Sequence, residues 1–186
     1  MIDVFAKISA KQVEGVMRHS QWADLFDFCD LCGEKRWQEY RAMSEFVEMR
    51  GVHRYAINHC NKMLPDTTTS VKLIPNDWYN VTRFDVTEND RKDMLKRIYT
   101  EWFNWEKSVK AFYEEQFKLL TDNKRIASAN KVMELIKDVD EELKMLTRKM
   151  LEYKAVGWDI GYIMYQQPEM HEHYAKKQME LGVCIC

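Results

Sequence analysis

The segment 65–87, PDTTTSVKLIPNDWYNVTRFDVT, decides the fold of this 186-residue sequence. It lacks helical periodicity, whereas the sequence on both sides of it has the spacing of apolar residues typical of helices. A helix of roughly 30 residues is about 45 Å long, and an extended link of about 23 residues can span roughly 70 Å. The link is therefore long enough to return along a whole helix, which predicts that the helices before and after it are parallel.

Two helical segments are predicted on each side of this link. Gly33 and Asn123 lie at the short turns within the two pairs, and short connections make neighbouring helices antiparallel. In the second segment the apolar residues follow a heptad, with Ala42, Phe46, Met49, His53, Ala56, Cys60 and Met63 on one stripe. The predicted helices run from about Ser9 to Cys32, from Lys35 to Leu64, from the N-cap Thr87 (with Asp90 three residues later) to Asp122, and from Ile126 to Tyr153.

These elements predict an all-α protein of two helical hairpins joined by a long crossover. We expect the four-helix bundle to occupy residues 1–156 and a C-terminal helical extension, packed on the bundle, to occupy residues 157–186. In that extension we predict a short helix from Gly161 to Tyr165 and a final helix from Glu169 to Leu181, separated by Pro168, because proline breaks helical hydrogen bonding.

The composition narrows the possible functions. The low numbers of Gly (6) and Pro (3) favour helices over sheets, and a net charge of −2 argues against nucleic-acid binding. The sequence contains no apolar run of the roughly 18 residues that a membrane span needs. The first residues, Met1 to Lys11, lack the apolar core of a signal peptide. We therefore expect a cytoplasmic protein that does not bind membranes.

Two stretches near the third helix resemble the ferritin superfamily. They are Trp105-Glu106-Lys107-Ser108-Val109 and Phe117-Lys118-Leu119-Leu120-Thr121-Asp122-Asn123-Lys124, which look like the corresponding ferritin helix and its turn. The short, long, short order of connections is also that of a ferritin-like bundle. The resemblance covers about Lys11 to Tyr153, and it implies a ferritin-like four-helix bundle that assembles as a homo-oligomer.

The resemblance also implies a metal site. The family pattern is Glu on the first helix, Glu-x-x-His on the second, Glu on the third, and Glu or Gln on the fourth. Carboxylates and imidazole together suit iron or manganese. Matching positions in this sequence are Glu14, His53, Glu106 and Asp140, so the resemblance implies that these four residues bind a metal, with iron as the expected cofactor.

One residue departs from that pattern, and it leaves two hypotheses open. Arg50 replaces the Glu of Glu-x-x-His, and arginine cannot bind a metal because it stays protonated. In the first hypothesis the chain is a ferritin-like metal-binding protein for iron oxidation, iron storage or oxygen chemistry, with one metal or an atypical pair. In the second it is a non-catalytic bundle that acts as a binding or structural module, and Arg50 and the acids form a buried ionic network.

The cysteines suggest a further metal. Cys29-Asp30-Leu31-Cys32-Gly33 resembles half of a zinc knuckle, because two thiolates two residues apart can bind one zinc ion. Cys184 with Cys186, or His59 with Cys60, would have to complete it, and neither spacing is standard. The alternative is that Cys29 packs inside the bundle. An odd number of cysteines, five, argues against a disulfide framework.

Overall fold

The computed structural model describes residues 1–65, 71–73, 78 and 81–182 of the chain. Within these residues there is a 3₁₀ turn at Arg83–Asp85 and there are five α-helices, none of which combines the length and the apolar character needed to cross a bilayer. The helices are α1 (Ile2–Phe28), α2 (Cys32–Cys60), α3 (Glu88–Asp122), α4 (Ile126–Ala155) and α5 (Ile160–Glu180).

The chain divides into two units. The α3–α4 unit contains Met1 and Leu95–Trp158, and the α1–α2–α5 unit contains Ile2–Met94 and the residues from Asp159 onward. In the α1–α2–α5 unit, α2 packs against both α1 and α5. The few residues of α3 before Leu95 belong to this unit, where the Arg91 Nε–H donates to the Cys29 carbonyl at 3.0 Å.

Helix α1 begins at Ile2, seven residues before the predicted start at Ser9. Val4, Phe5 and Ile8 are buried and extend the apolar stripe of the helix toward its N-terminus. The sequence pattern did not indicate a helix here, because the charged residues Asp3 and Lys7 lie among the apolar positions. Burial of these three side chains favours the additional helical turns.

The turn between α1 and α2 is centred on Asp30 and not, as predicted, on Gly33. Asp30 has φ 61°, in the left-handed region that Asp and Asn visit more readily than most residues. The Leu31 amide donates to the Phe26 carbonyl at 2.9 Å and closes the turn. The predicted place of Gly33 at this turn is wrong, because Gly33 is already the second residue of α2.

Gly33 instead permits a close approach of α5 to α2. A Cβ atom at this position would lie 2.6 Å from the Gln167 carbonyl oxygen and 2.7 Å from the Met170 Cβ. The side chain of Gln167 also caps α2, since its Oε1 accepts from the amides of Gly33 at 2.8 Å and Glu34 at 3.1 Å. α2 therefore receives its N-terminal cap from α5, whereas its own N-cap residue, Leu31, provides none.

The prediction of two C-terminal helices separated by Pro168 is wrong, because α5 continues through Pro168. Proline removes one backbone donor from the helix. The neighbouring Gln167 is buried, and its Nε2 donates to the Ile163 carbonyl at 3.1 Å. The packing of α5 on α2 therefore outweighs the loss of one helical hydrogen bond.

Helices α3 and α4 follow the prediction closely. Thr87 and Asp90 form the predicted cap of α3, in which the Thr87 amide donates to Asp90 at 2.8 Å and the Asp90 amide donates to the Thr87 hydroxyl at 3.2 Å. The turn to α4 has Lys124 at φ 58°. Near the far end of the hairpin, the ring of Tyr99 lies 5.6 Å from that of Tyr153.

The Gly33 contact gives a test of the helix packing. We expect Gly33→Ala to lower the free energy of unfolding by about 1–3 kcal/mol, because the new methyl group meets backbone atoms of α5 that cannot rotate away. Gly51→Ala is the matched control: a Cβ there meets nothing within 4 Å, so it should raise stability by about 0.5–1 kcal/mol. Urea unfolding of both variants measures the difference, and equal effects would contradict the close approach.

Candidate metal centre

The buried face of α2 is more polar than its sequence pattern predicts. Phe46 and Met63, two residues of the predicted heptad stripe, are 47% and 82% exposed. The buried positions of the helix include four polar or charged residues, Glu34, Gln38, Arg41 and Glu45. Burial of charged groups is costly unless they are paired or bind an ion. A buried face of this composition is therefore a candidate functional site.

His19 lies opposite this polar face on α1 and is completely buried. Its Nδ1 is 2.7 Å from the Gln38 Oε1. Because an amide oxygen can only accept, Nδ1 carries the proton and the lone pair of the neutral ring is on Nε2. This arrangement is typical of metal-binding histidines, whose orientation is fixed by a hydrogen bond from the other ring nitrogen.

Glu45 lies on α2 and is 6% exposed. Its carboxyl carbon is 3.0 Å from the position that a Cβ of Gly15 would occupy, so the carboxyl group rests directly against the backbone of α1. The Arg41 guanidinium donates to Glu45 Oε1 at 3.3 Å. Gly15 thus leaves the space for a buried carboxylate, and Arg41 neutralises part of its charge.

Glu106 belongs to the α3–α4 unit and is completely buried. The Trp102 indole N–H, one helical turn earlier, donates to Glu106 Oε1 at 2.9 Å. This bond directs the carboxylate. Of the four residues that the family resemblance implied as ligands, Glu106 has the environment closest to that of a metal ligand.

His19, Glu45 and Glu106 form a buried group that could hold a metal ion. Within the described part of the chain, no second group of three or more His, Cys, Asp or Glu side chains has this property. One imidazole and two carboxylates are ligands that suit iron or manganese. The donor set therefore fits the metal that the family resemblance implies, although two of its three members differ from the expected ones.

Glu14 and His53, two other predicted ligands, have different partners. Glu14 is partly exposed and forms ion pairs with Lys11 at 3.2 Å and Arg18 at 3.0 Å. The His53 Nε2 lies 2.8 Å from the Ser9 hydroxyl. Burial lowers the pKa of the His53 imidazole, and the charge of Arg50 lowers it further. Metal binding by these two residues stays a prediction.

Asp140, the fourth predicted ligand, accepts a hydrogen bond from the Lys110 ammonium at 2.6 Å, and its side chain is 40% exposed. Arg50, the residue that departs from the family pattern, is exposed. It is therefore not at the centre of a buried ionic network; Arg41 is the buried arginine within the described residues. Metal binding by Asp140 also stays a prediction.

The position of the turn between α1 and α2 determines which residues of the two helices face each other. Reflection about Gly33 would pair Glu14 with His53, whereas the observed turn at Asp30 brings Ser9 to His53 and Gly15 to Glu45. A displacement of the turn by three residues moves each partner on α2 by about six. The sequence contained one indication that His19 is buried. This residue lies three positions after Val16 and three before Trp22, on the apolar stripe of α1.

The cysteine pair has an environment that does not favour a thiolate site. Cys29 is buried, and this burial raises the pKa of its thiol to about 12. Cys32 is exposed and Cys60 is partly exposed, and neither belongs to the group of ligands found in the described residues. Cys184 and Cys186, the alternative second half of the predicted zinc site, lie outside the described residues.

The fold has a counterpart among solved structures. The chain is similar to a closed form of the ferritin of Archaeoglobus fulgidus engineered by site-directed mutagenesis, with a TM-score of 0.73, 13% sequence identity, and coverage of 92% of this chain and 94% of that chain. No protein-family model matches the sequence, and no curated protein matches it. The chain therefore has the ferritin-like fold, as predicted, with two helical hairpins joined by a long crossover in a four-helix bundle and α5 as an extension.

The raised pKa of Cys29 predicts unequal cysteine reactivity. At pH 8 we expect iodoacetamide to alkylate Cys32 readily and Cys29 very slowly, because only the thiolate reacts and burial keeps Cys29 protonated. Peptide mapping by mass spectrometry measures both sites, and denatured protein serves as the control in which both react. Equal alkylation of the two thiols in the folded protein would contradict a buried, neutral Cys29.

Gln12 provides a second test of this interior. It is completely buried on α1, and neither atom of its amide has a hydrogen-bond partner among the described residues. An unsatisfied buried polar group costs about 1–3 kcal/mol. We therefore expect Gln12→Met, which keeps the size of the side chain, to raise the free energy of unfolding by about 1 kcal/mol. A loss of stability in urea unfolding would instead show that the amide binds a buried water molecule or ligand.

Proposed function

We propose that this protein binds one iron or manganese ion through His19 Nε2, Glu45 and Glu106 within its ferritin-like bundle. The observation that supports the proposal is the burial of one imidazole and two carboxylates in a group that could hold a metal. Each of the three has a neighbour that orients it without replacing it as a ligand. These neighbours are Gln38 for His19, Gly15 for Glu45 and Trp102 for Glu106.

The balance of buried charge also favours a cation. Among the described residues, the buried ionisable acids are Glu34, Glu45, Glu106 and Glu142, whereas Arg41 is the single buried arginine or lysine. A carboxylate loses several kcal/mol of hydration energy when it is buried, and nearby positive charge recovers part of this loss. A divalent cation would supply such charge without requiring protonation of the acids.

The proposed metal would bring one-electron chemistry with oxygen, as expected for iron oxidation or storage or for a related oxygen reaction. The surrounding residues of the chain determine how the site works. Gln38 keeps the His19 proton on Nδ1, and the Trp102 bond limits rotation of the Glu106 carboxylate. Three protein ligands also leave coordination positions for water or a small substrate. The burial of all three excludes bulk solvent.

The four residues implied by the family resemblance form an alternative ligand set. It shares Glu106 with the proposed site and differs in Glu14, His53 and Asp140. A second candidate function is that of a structural or binding module. The Arg41–Glu45 and Trp102–Glu106 contacts favour it, because they already provide partners for both carboxylates. We also expect self-association, and a cytoplasmic location remains a prediction.

Metal analysis separates these possibilities. After expression in iron- or manganese-supplemented medium, we expect about one metal ion per chain in the wild type and at least a tenfold weaker affinity in His19→Ala, Glu45→Gln and Glu106→Gln, because loss of one of three ligands removes a large share of the coordination energy. His53→Ala and Glu142→Gln are matched controls for a histidine and a buried acid outside the site, and both should retain the metal.

The distribution of effects identifies the ligand set. Loss of metal in His53→Ala with retention in His19→Ala would favour the alternative ligands, and metal-free wild type would support the structural module. Tryptophan fluorescence adds a direct readout. The ring of Trp22 lies 5.3 Å from that of His19, and Trp102 bonds to Glu106, so binding of a paramagnetic ion should quench emission.

A further inference from the structure

An open groove runs along the outer surface of the α3–α4 hairpin. Its volume is about 710 Å³, and its apolar lining includes Phe103, Ala111, Leu143 and Leu151. Leu151 is 60% exposed, which is unusual for a leucine beside other apolar side chains. An apolar centre with a polar rim is the arrangement found in protein–protein interfaces.

The rim of this groove is basic. Lys107, Lys110, Lys144 and Arg148 line it, against two acids, Glu114 and Asp140. Lys110 pairs with Asp140 at 2.6 Å, and Lys144 pairs with Glu141 at 2.6 Å. Within the described residues no carboxylate lies within ion-pair distance of Lys107 or Arg148; Lys107 instead lies 5.8 Å from the centre of the Phe103 ring. The groove thus presents two uncompensated positive charges beside its apolar lining.

The α1–α2 hairpin has a smaller surface groove of the opposite character. Its volume is about 340 Å³, its charged lining residues are Asp24 and Glu39, and its largest side chain is Phe46, which is 47% exposed. Glu39 pairs with Arg36 at 2.9 Å. Asp24 is exposed and has no basic group within ion-pair distance among the described residues. This acidic face therefore presents an aromatic ring and an uncompensated negative charge.

We propose that the acidic face of one copy of the chain binds the basic groove of a second copy. Phe46 supplies the apolar group for the groove beside Phe103 and Leu151, and Asp24 supplies the charge for Lys107 and Arg148. The occupant is a second copy because the chain itself carries the complementary surface, in both charge and apolar character. The inference rests on the proposed self-association and is independent of the metal.

The two surfaces differ, so the contact is heterologous. A pair of copies keeps one unused surface of each kind, and addition of further copies produces a ring or an open filament. A contact that joined two identical faces would stop at a dimer. This difference in outcome makes the proposal testable with variants of the two surfaces.

The test uses two double variants. Lys107→Glu with Arg148→Glu removes the positive charge of the basic groove. Asp24→Ser with Phe46→Ser removes the charge and the aromatic ring of the acidic face, and it adds no positive charge that could pair with the new glutamates. We expect wild type to self-associate with a strength that falls as the salt concentration rises, and each variant alone to sediment as a monomer. An equimolar mixture should form a 1:1 complex with twice the mass of one copy and no larger species, because it contains one competent pair of surfaces.

Lys118→Glu with Lys137→Glu is the matched control, since both lysines are exposed on the same two helices and lie outside the groove lining. It should associate like wild type, and circular dichroism should confirm folding of all variants. A mixture that stays monomeric while wild type associates would overturn the proposal. A wild-type dimer that is dissociated only by the Asp24 and Phe46 changes would also overturn the proposal. A monomeric wild type would overturn the self-association on which the proposal rests.

Discussion

The left-handed turn at Asp30 determines which residues of α1 and α2 face each other. Because two antiparallel helices pair around their turn, a shift of the turn changes every pair along the hairpin. The observed turn brings Gly15 against Glu45, where the absence of a side chain on α1 leaves room for a buried carboxyl group. It also makes Gly33 part of α2, where the missing side chain lets α5 approach and cap the helix. The proposed ligand Glu45 and the packing of α5 thus depend on one turn.

The fold could be predicted from the sequence because it depends on features that repeat along many residues. The lengths of the four helices and the long link at 65–87 were sufficient for the ferritin-like bundle, which the solved ferritin structure confirms. The cap of α3 was also predictable, since Thr87 and Asp90 satisfy backbone groups within three residues. A fold prediction that rests on such local patterns and total lengths stays correct when each helix boundary is misplaced by a few residues.

The candidate site was less predictable because it depends on registry and on polar burial. Apolar periodicity selects the stripe with the most apolar residues, but α2 buries Gln38, Arg41 and Glu45 and leaves Phe46 exposed. These polar residues are stabilised by partners on other helices, such as His19 on α1, which no pattern within α2 reveals. The proposed site therefore contains residues that break the apolar pattern.

Arg41 connects the two candidate functions through one carboxylate. Its bond to Glu45 at 3.3 Å is longer than a strong charge-assisted hydrogen bond, so the pair is compatible with a second cation on the same carboxylate. The proposed metal ion, shared with His19 and Glu106, would be that second cation. The arginine then lowers the net negative charge of the site, which favours a single ion over a pair.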